Sequence, residues 1–224
     1  MHGYKSQFIE FMLRCGALRF GDFTTKSGRE TPYFIDTGQY RTGSQIKRLS
    51  EFYASAILER VADGFDLLFG PAYKGIALSV AVAIALYERT GRDPGFCFNR
   101  KESKDHGEKG ALIGHAPRPG ERVLIIEDVI TAGTSIRETV PLLKAHAPVE
   151  LAGLVVSVDR MERGKSGKNA LSEISEAFAM PAFAIVTIDE IIEHLRGREL
   201  EGGVVLDDRT YNRVLEYRRE YGGE

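Results

Sequence analysis

The stretch Val123 to Ser135, V-L-I-I-E-D-V-I-T-A-G-T-S, limits the fold more than any other part of the chain. Its apolar opening run has no polar alternation, the pattern of a strand buried on both faces, which places it inside a parallel sheet. The run ends on two adjacent carboxylates, Glu127 and Asp128. Val129 and Ile130 follow, then Thr131, Ala132, Gly133, Thr134 and Ser135. These last five bring hydroxyls, backbone N–H groups and little bulk to a point where a helix can start, which is the chemistry of a phosphate cradle. Glu127 and Asp128 can accept hydrogen bonds from ribose hydroxyls or hold Mg²⁺ through water. The same residues also suit a plain buried strand with an acidic turn and an N-cap at Thr134 or Ser135.

A doubly buried strand needs helices on both sides, and 224 residues suffice for one α/β domain with an appendage. The formal net charge of −2 gives no general attraction to nucleic acid or to an anionic membrane, so any anion site must be a local cluster. Cys15 and Cys97 form no C-x-x-C pair, which argues against a disulfide framework and for two reduced thiols in a cytoplasmic protein. The most apolar stretch, Ile76 to Tyr87, is too short to span a bilayer.

The rest of the chain supplies the alternation that a parallel sheet requires. An amphipathic helix is expected over Tyr4–Leu18, then a hairpin with Lys26 and Arg29 at its tip, then a helix over 44–62. Strands are expected at D-L-L-F-G, G-F-C-F-N, Val123 onward, Glu150–Asp159 and A-F-A-I-V-T-I. Helices separate them, so five strands make a parallel α/β sheet. A short strand at Leu112–Ile113 returns from the intervening loop, Pro141 is expected to kink its helix near Arg137, and helices close the chain at 189–200 and 209–221. A single domain is expected over residues 1–224, with its α/β core at 64–190. Residues 1–40 and the C-terminal segment form a hood.

Two further segments can meet anions. G-P-A-Y-K-G, residues 70–75, is a tight turn between a strand and a helix, with Tyr73 and Lys74 beside free N–H groups. Residues 100–110, R-K-E-S-K-D-H-G-E-K-G, crowd Arg100, Lys101, Lys104, His106 and Lys109 into a polar loop that reads either as a solvated charge run or as a lid over a polyanion. Other chemistries lose ground: Gly164-Lys165-Ser166 lacks the rest of a Walker A loop, no G-x-G-x-x-G follows a strand, and the five histidines never reach metal-ligand spacing.

Taken together, V-L-I-I-E-D-V-I-T-A-G-T-S resembles the phosphoribosyl diphosphate signature of the type I phosphoribosyltransferases. The segments T-T-K-S-G-R-E-T-P-Y-F-I-D, G-P-A-Y-K-G, F-N-R-K-E-S-K-D-H-G-E and S-V-D-R-M-E-R-G are similar, in the same order, to the orotate phosphoribosyltransferase family within them. The resemblance covers nearly the whole chain. It implies the type I fold, a parallel central sheet flanked by helices with an N-terminal helix-plus-hairpin hood. It also implies transfer of ribose 5-phosphate from phosphoribosyl diphosphate (PRPP) to orotate, in pyrimidine biosynthesis. By the same resemblance Thr131 to Ser135 hold the 5′-phosphate, with Val129 and Ile130 leading into the loop, and Glu127 and Asp128 meet the ribose hydroxyls. Lys26, Tyr73, Lys74, Arg100, Lys101, Lys104 and His106 surround the diphosphate. The peptide before Tyr73 is expected to be cis. Orotate is expected against Phe34 and Ile35, with Thr131 near and its carboxylate on Arg160. Ile35 stands where relatives often carry a second Phe.

What the resemblance implies about mechanism is largely electrostatic. Lys104 is the first candidate for the catalytic cation, with His106 and Lys26 beside it, while Asp128 offsets positive charge on the sugar. Mg²⁺ is expected to be held mainly by PRPP, with Glu127 and Asp128 reaching it through water, and no dedicated protein ligand set is expected. A homodimer sharing its active sites is implied, with no nucleic-acid or membrane partner. A purine-type transferase and a non-catalytic PRPP-sensing regulator remain as alternatives.

Overall fold

The computed structural model describes residues 3–25, 28–101, 112–130, 133–200 and 202–223. The chain opens with α1 (Gly3–Arg14), the strands β1 (Leu18–Thr24) and β2 (Glu30–Ile35), and α2 (Gly43–Arg60). The alternating part follows as β3 (Leu67–Phe69), α3 (Lys74–Thr90), β4 (Gly95–Asn99), β5 (Leu112–Gly114), β6 (Arg122–Ile126), α4 (Thr134–His146), β7 (Glu150–Asp159), α5 (Ala170–Phe178), β8 (Ala182–Thr187) and α6 (Ile188–Leu195). A two-stranded ribbon, β9 (Glu199–Leu200) and β10 (Gly203–Val204), then leads to α7 (Asp208–Tyr221).

The apolar run of the opening motif is β6, and it lies inside the main sheet with β3 on one side and β7 on the other, both parallel to it. Val123, Leu124, Ile125 and Ile126 are all fully buried. Their side chains split between two cores, Leu124 and Ile126 facing one and Val123 and Ile125 the other. That division is why the run carries no polar alternation. The first core also holds α1, β2, α2, α6 and α7, and the second holds α4 and α5.

The sheet departs from the sequence expectation at one edge. It has six strands in the order β5-β4-β3-β6-β7-β8, and β5 runs antiparallel to β4. The short return strand belongs to the sheet because Leu112, Ile113 and Gly114 pair with Asn99, Phe98 and Cys97 of β4. A second correction concerns the helix expected over 189–200, which ends at Leu195. Gly197 turns the chain at φ 63, and Glu199–Leu200 pairs with Gly203–Val204 instead. The helix after the cradle has Gly133, at φ 67, as its N-cap, so the alternative of an ordinary hydroxyl cap at Thr134 or Ser135 does not hold. Pro141 lies inside α4, which continues past it to His146.

Local signals set the helix ends elsewhere. Thr42 and Gln45 form a capping box at the start of α2, Thr187 and Glu190 form one at α6, and Gly91 closes α3 in the left-handed conformation. Between β3 and α3 the backbone crosses itself closely. A Cβ on Gly70 would lie 1.9 Å from the carbonyl oxygen of Gly75. Gly70→Ala must displace that turn and is expected to cost about 1–3 kcal/mol, read as a lower midpoint of thermal unfolding.

Candidate active site

At the carboxyl end of β6 two acids leave the sheet side by side, Glu127 at 8% exposure and Asp128 at 9%. Two buried carboxylates this close cannot both ionise freely, and their surroundings separate them. Asp128 Oδ2 accepts from Thr37 Oγ1 at 2.6 Å and from Lys74 Nζ at 2.8 Å, and Lys74 also donates to Thr37 Oγ1 at 2.7 Å. Burial works against the charge on Asp128, but the hydrogen bonds from Lys74 and Thr37 outweigh it and hold the carboxyl below its usual range. Glu127 has no cation within ion-pairing distance among the described residues. Burial raises its carboxyl to about 7, against the pull of the Ser135 hydroxyl, which donates at 2.7 Å. Their backbones are pinned from neighbouring elements: Tyr53 donates its OH to the Glu127 carbonyl at 2.8 Å, and Ser157 donates to the Asp128 carbonyl at 2.6 Å.

Beyond the acids the chain enters the cradle. Val129 bridges to Val158 of β7, and the Ile130 side chain is committed to the second core. Gly133 is required twice over, by its positive φ and because a Cβ there would sit 2.6 Å from Ile174 Cδ1. Thr134 is exposed at the start of α4, and Ser135 turns back to Glu127. The first N–H groups of this helix have no partner in a preceding turn and can meet an anion. Thr131 and Ala132 lie outside the described residues, as do Lys26, Lys104 and His106.

The second turn lies beside this acid pair. The Ala72–Tyr73 peptide is cis, as expected from the sequence. The Ala72 N–H donates to Asn99 Oδ1 at 2.8 Å, which ties the turn to the last residue of β4, and Asn99 is itself paired with Leu112 of β5. Tyr73 is 66% exposed, and Lys101 Nζ stands 5.5 Å from its ring centroid. Arg100 follows Asn99 and is half-buried. A cavity of 160 Å³ opens between Thr37, Lys74, Asp128 and Ser157, with Tyr40, Leu49 and Leu78 on its apolar side.

A third group of residues gathers where β2 meets the end of β7. Strand alternation turns Tyr33 and Ile35 inward, both buried, while Phe34 faces the other way and stacks on Phe23 at 5.6 Å. Arg160 follows β7 with its side chain 12% exposed, its guanidinium 5.2 Å from the Tyr33 ring centroid and 2.6 Å from Glu162 Oε1. Arg29 stands in the hairpin turn between β1 and β2, as expected, and its side chain reaches back to Glu162 at 2.5 Å. Attraction to a half-buried carboxylate outweighs solvation of the guanidinium at the turn.

The structure thus brings Lys74, Asp128, Glu127 and Ser135 into one cluster, and Arg160 follows the strand next to theirs. It adds Thr37, Asn99, Tyr53, Ser157 and Glu162, which the sequence reading did not single out. Asn99, Ser157 and Glu162 lie within the segments compared with the family, and Thr37 follows directly after one of them. Proximity in the motifs was the signal available for them. The hydroxyls of Tyr53 and Ser157 act on backbone carbonyls, and no residue pattern encodes that.

Comparisons with known proteins agree with one another. The family model described as "Phosphoribosyl transferase domain" matches residues 36–183. An orotate phosphoribosyltransferase of Clostridium beijerinckii is 54% identical over 224 residues, covering 100% of both chains, and one of Clostridium acetobutylicum is 53% identical over 222 residues, covering 99% of both. A solved orotate phosphoribosyltransferase of Francisella tularensis superposes with a TM-score of 0.82 at 36% identity, over 97% of this chain and 100% of that one.

The divided carboxylates predict a pH dependence. A carboxyl raised in the folded state binds more protons folded than unfolded between its two pKa values, so stability falls as pH rises from 4.5 to about 7. Asp128 acts in the opposite sense, its contribution being lost only as pH falls below its ordinary 3.8, outside that window. Thermal unfolding of the natural chain and Glu127→Gln from pH 4.5 to 7.5 is expected to show the natural chain losing stability relative to the variant as pH rises. A constant difference would mean that Glu127 titrates as an ordinary carboxyl.

Proposed function

The chain belongs to the orotate phosphoribosyltransferase family, and we propose that it forms orotidine 5′-phosphate and diphosphate from orotate and PRPP, a step of pyrimidine biosynthesis. The observation that carries the reading is the Lys74–Asp128–Thr37 cluster beside the Gly133 cradle, with Arg160 at the end of the adjoining strand. Ligands of open α/β sheets bind at the carboxyl ends of the strands, which is where these groups stand.

The reaction breaks the C1–O bond to diphosphate while a ring nitrogen of orotate attacks, through a state with oxocarbenium character. Asp128, kept ionised, is suited to accept from a ribose hydroxyl and to offset positive charge on the sugar ring. Ser135 and the first turn of α4 hold the 5′-phosphate. Lys74 lies on the side of Tyr73 and Lys101, where the diphosphate departs, and Arg100, Lys104, His106 and Lys26 complete the positive surround. Lys104 is the proposed catalytic cation. Arg160, a planar fork, suits the carboxylate that distinguishes orotate from a purine.

The two adjacent carboxylates are hard oxygen donors that suit Mg²⁺ bound chiefly through substrate oxygens and water. Mg²⁺ would add positive charge at the diphosphate. The proposed setting is the cytoplasm, in keeping with Cys15 and Cys97 as free thiols. A homodimer with shared sites is supported by an apolar surface: α3 exposes Ile84 and Tyr87, and the adjoining β4 and β5 expose Phe96 and Ile113.

Loss of orotate absorbance in the presence of PRPP and Mg²⁺ tests the activity. Conversion of orotate, abolished by EDTA, is the expected result, while consumption of adenine or hypoxanthine with orotate unchanged would assign the chain to purines. Ile84→Asp is expected to shift the sedimenting species from dimer to monomer and to lower turnover at least tenfold if the sites are shared. A fully active monomer would refute the shared site.

A further inference from the structure

Arg160 is held from behind by a carboxylate for which the transfer reaction itself has no use. The Glu162 side chain is 13% exposed, and both of its oxygens are occupied. Oε1 lies 2.6 Å from Arg160 Nη2 and accepts from Tyr217 OH at 2.9 Å and from Tyr33 OH at 3.4 Å. Oε2 accepts from Arg29 Nη2 at 2.5 Å. These donors come from the hairpin, from α7 and from the segment after β7, so one side chain joins three separate parts of the chain.

The backbone around Glu162 is fixed independently. Met161 takes φ 52, and its carbonyl accepts from Arg218 Nη1 at 2.5 Å and from the Gly223 N–H at 3.0 Å. The Arg163 N–H donates to the Tyr221 carbonyl at 2.9 Å. Residues 161–163 are thus strapped to the end of α7, and Arg160 is carried on that strap.

Charge decides what the arrangement can receive. Arg29 and Arg160 face a single carboxylate, which leaves one positive charge. Aromatic rings cover the flat faces: Tyr33 lies 5.2 Å from the Arg160 guanidinium, and Tyr221 lies 4.6 Å from that of Arg29. Arg160 Nε and Nη2 are both buried without a hydrogen-bond acceptor among the described residues, Nη2 meeting Glu162 as an ion pair. One surplus charge and two unspent donor nitrogens on Arg160 match one incoming carboxylate, whose two oxygens can accept from both.

We propose that Glu162 is a positioning residue for the base: it locks the Arg160 fork and cancels the charge of Arg29, so that the site offers one net positive charge to the carboxylate of orotate. This rests on the reading that Arg160 meets that carboxylate. An unlocked arginine would have to be ordered at each binding event, and two uncompensated guanidiniums would push each other out of place.

The test separates binding of the base from binding of PRPP. Glu162→Ala is expected to raise the orotate KM about tenfold or more, with the PRPP KM and kcat within about threefold. Glu162→Gln, which keeps an acceptor for Arg160, should recover part of the loss, and Tyr217→Phe, which removes only a hydroxyl, should raise the orotate KM about twofold. Arg160→Ala and the double variant with Glu162→Ala should show the same orotate KM, because Glu162 acts through Arg160. Equal rises in both KM values, or additive effects in the double variant, would give Glu162 a merely structural role. Should Glu162→Ala fail to fold by circular dichroism, an unchanged orotate KM in both Glu162→Gln and Tyr217→Phe overturns the proposal. If Arg160→Ala itself leaves the orotate KM unchanged, the underlying assignment of Arg160 falls, and the role of Glu162 with it.

Discussion

The repulsion between two neighbouring carboxylates at the end of a buried strand governs the arrangement of the site. A lone buried acid would simply take up a proton, and a pair can divide the burden so that one remains charged. Here the division is imposed by neighbours: Lys74 and Thr37 converge on Asp128, while Glu127 receives only neutral donors. Each of these groups sits on a different element. The turn before α3, the connection after β2 and the first turn of α4 must therefore all be placed correctly for Asp128 to keep its charge.

That requirement explains the close backbone crossings nearby. Gly70 and Gly75 let the turn before α3 fold tightly enough to bring Lys74 over the strand end, and Gly133 lets α4 start against Ile174 with Ser135 facing Glu127. Tyr53, wholly buried in α2, holds the Glu127 carbonyl from below. The site is rigid on its acidic side because its polar atoms are already engaged with one another.

Much of this was legible in the sequence, and the limits are physical. Unalternated apolar residues identified β6 as a central strand, and the small residues after it marked the cradle. The short strand at Leu112–Ile113 was legible, but not its place as an antiparallel edge of the main sheet, because that follows from pairing with β4, a non-local fact. The helix boundary at Leu195 escaped because the apolar pattern runs on to Leu200, while Gly197 takes a left-handed turn between them. At the site, residue types indicated which atoms were available, but not how they pair: Arg29 could be placed at the hairpin tip, but its partner Glu162 comes from 133 residues further along the chain. Family resemblance supplied roles for Lys26, Lys104, His106, Thr131 and Ala132, which lie outside the described residues.

The antiparallel edge also bears on the charged segment at residues 100–111. Asn99 and Leu112 are direct partners across β4 and β5, and Asn99 is bonded in turn to the Ala72–Tyr73 turn. The segment therefore leaves the sheet and re-enters it at a single point, like a purse whose mouth is stitched shut. The strand pairing itself holds Asn99 beside Leu112, so the loop-closure entropy of the residues between them is already met by the fold. The same Asn99 that pairs with Leu112 also holds the Ala72 N–H, so the point where the chain leaves and rejoins the sheet is tied to the turn that leads into α3 and Lys74.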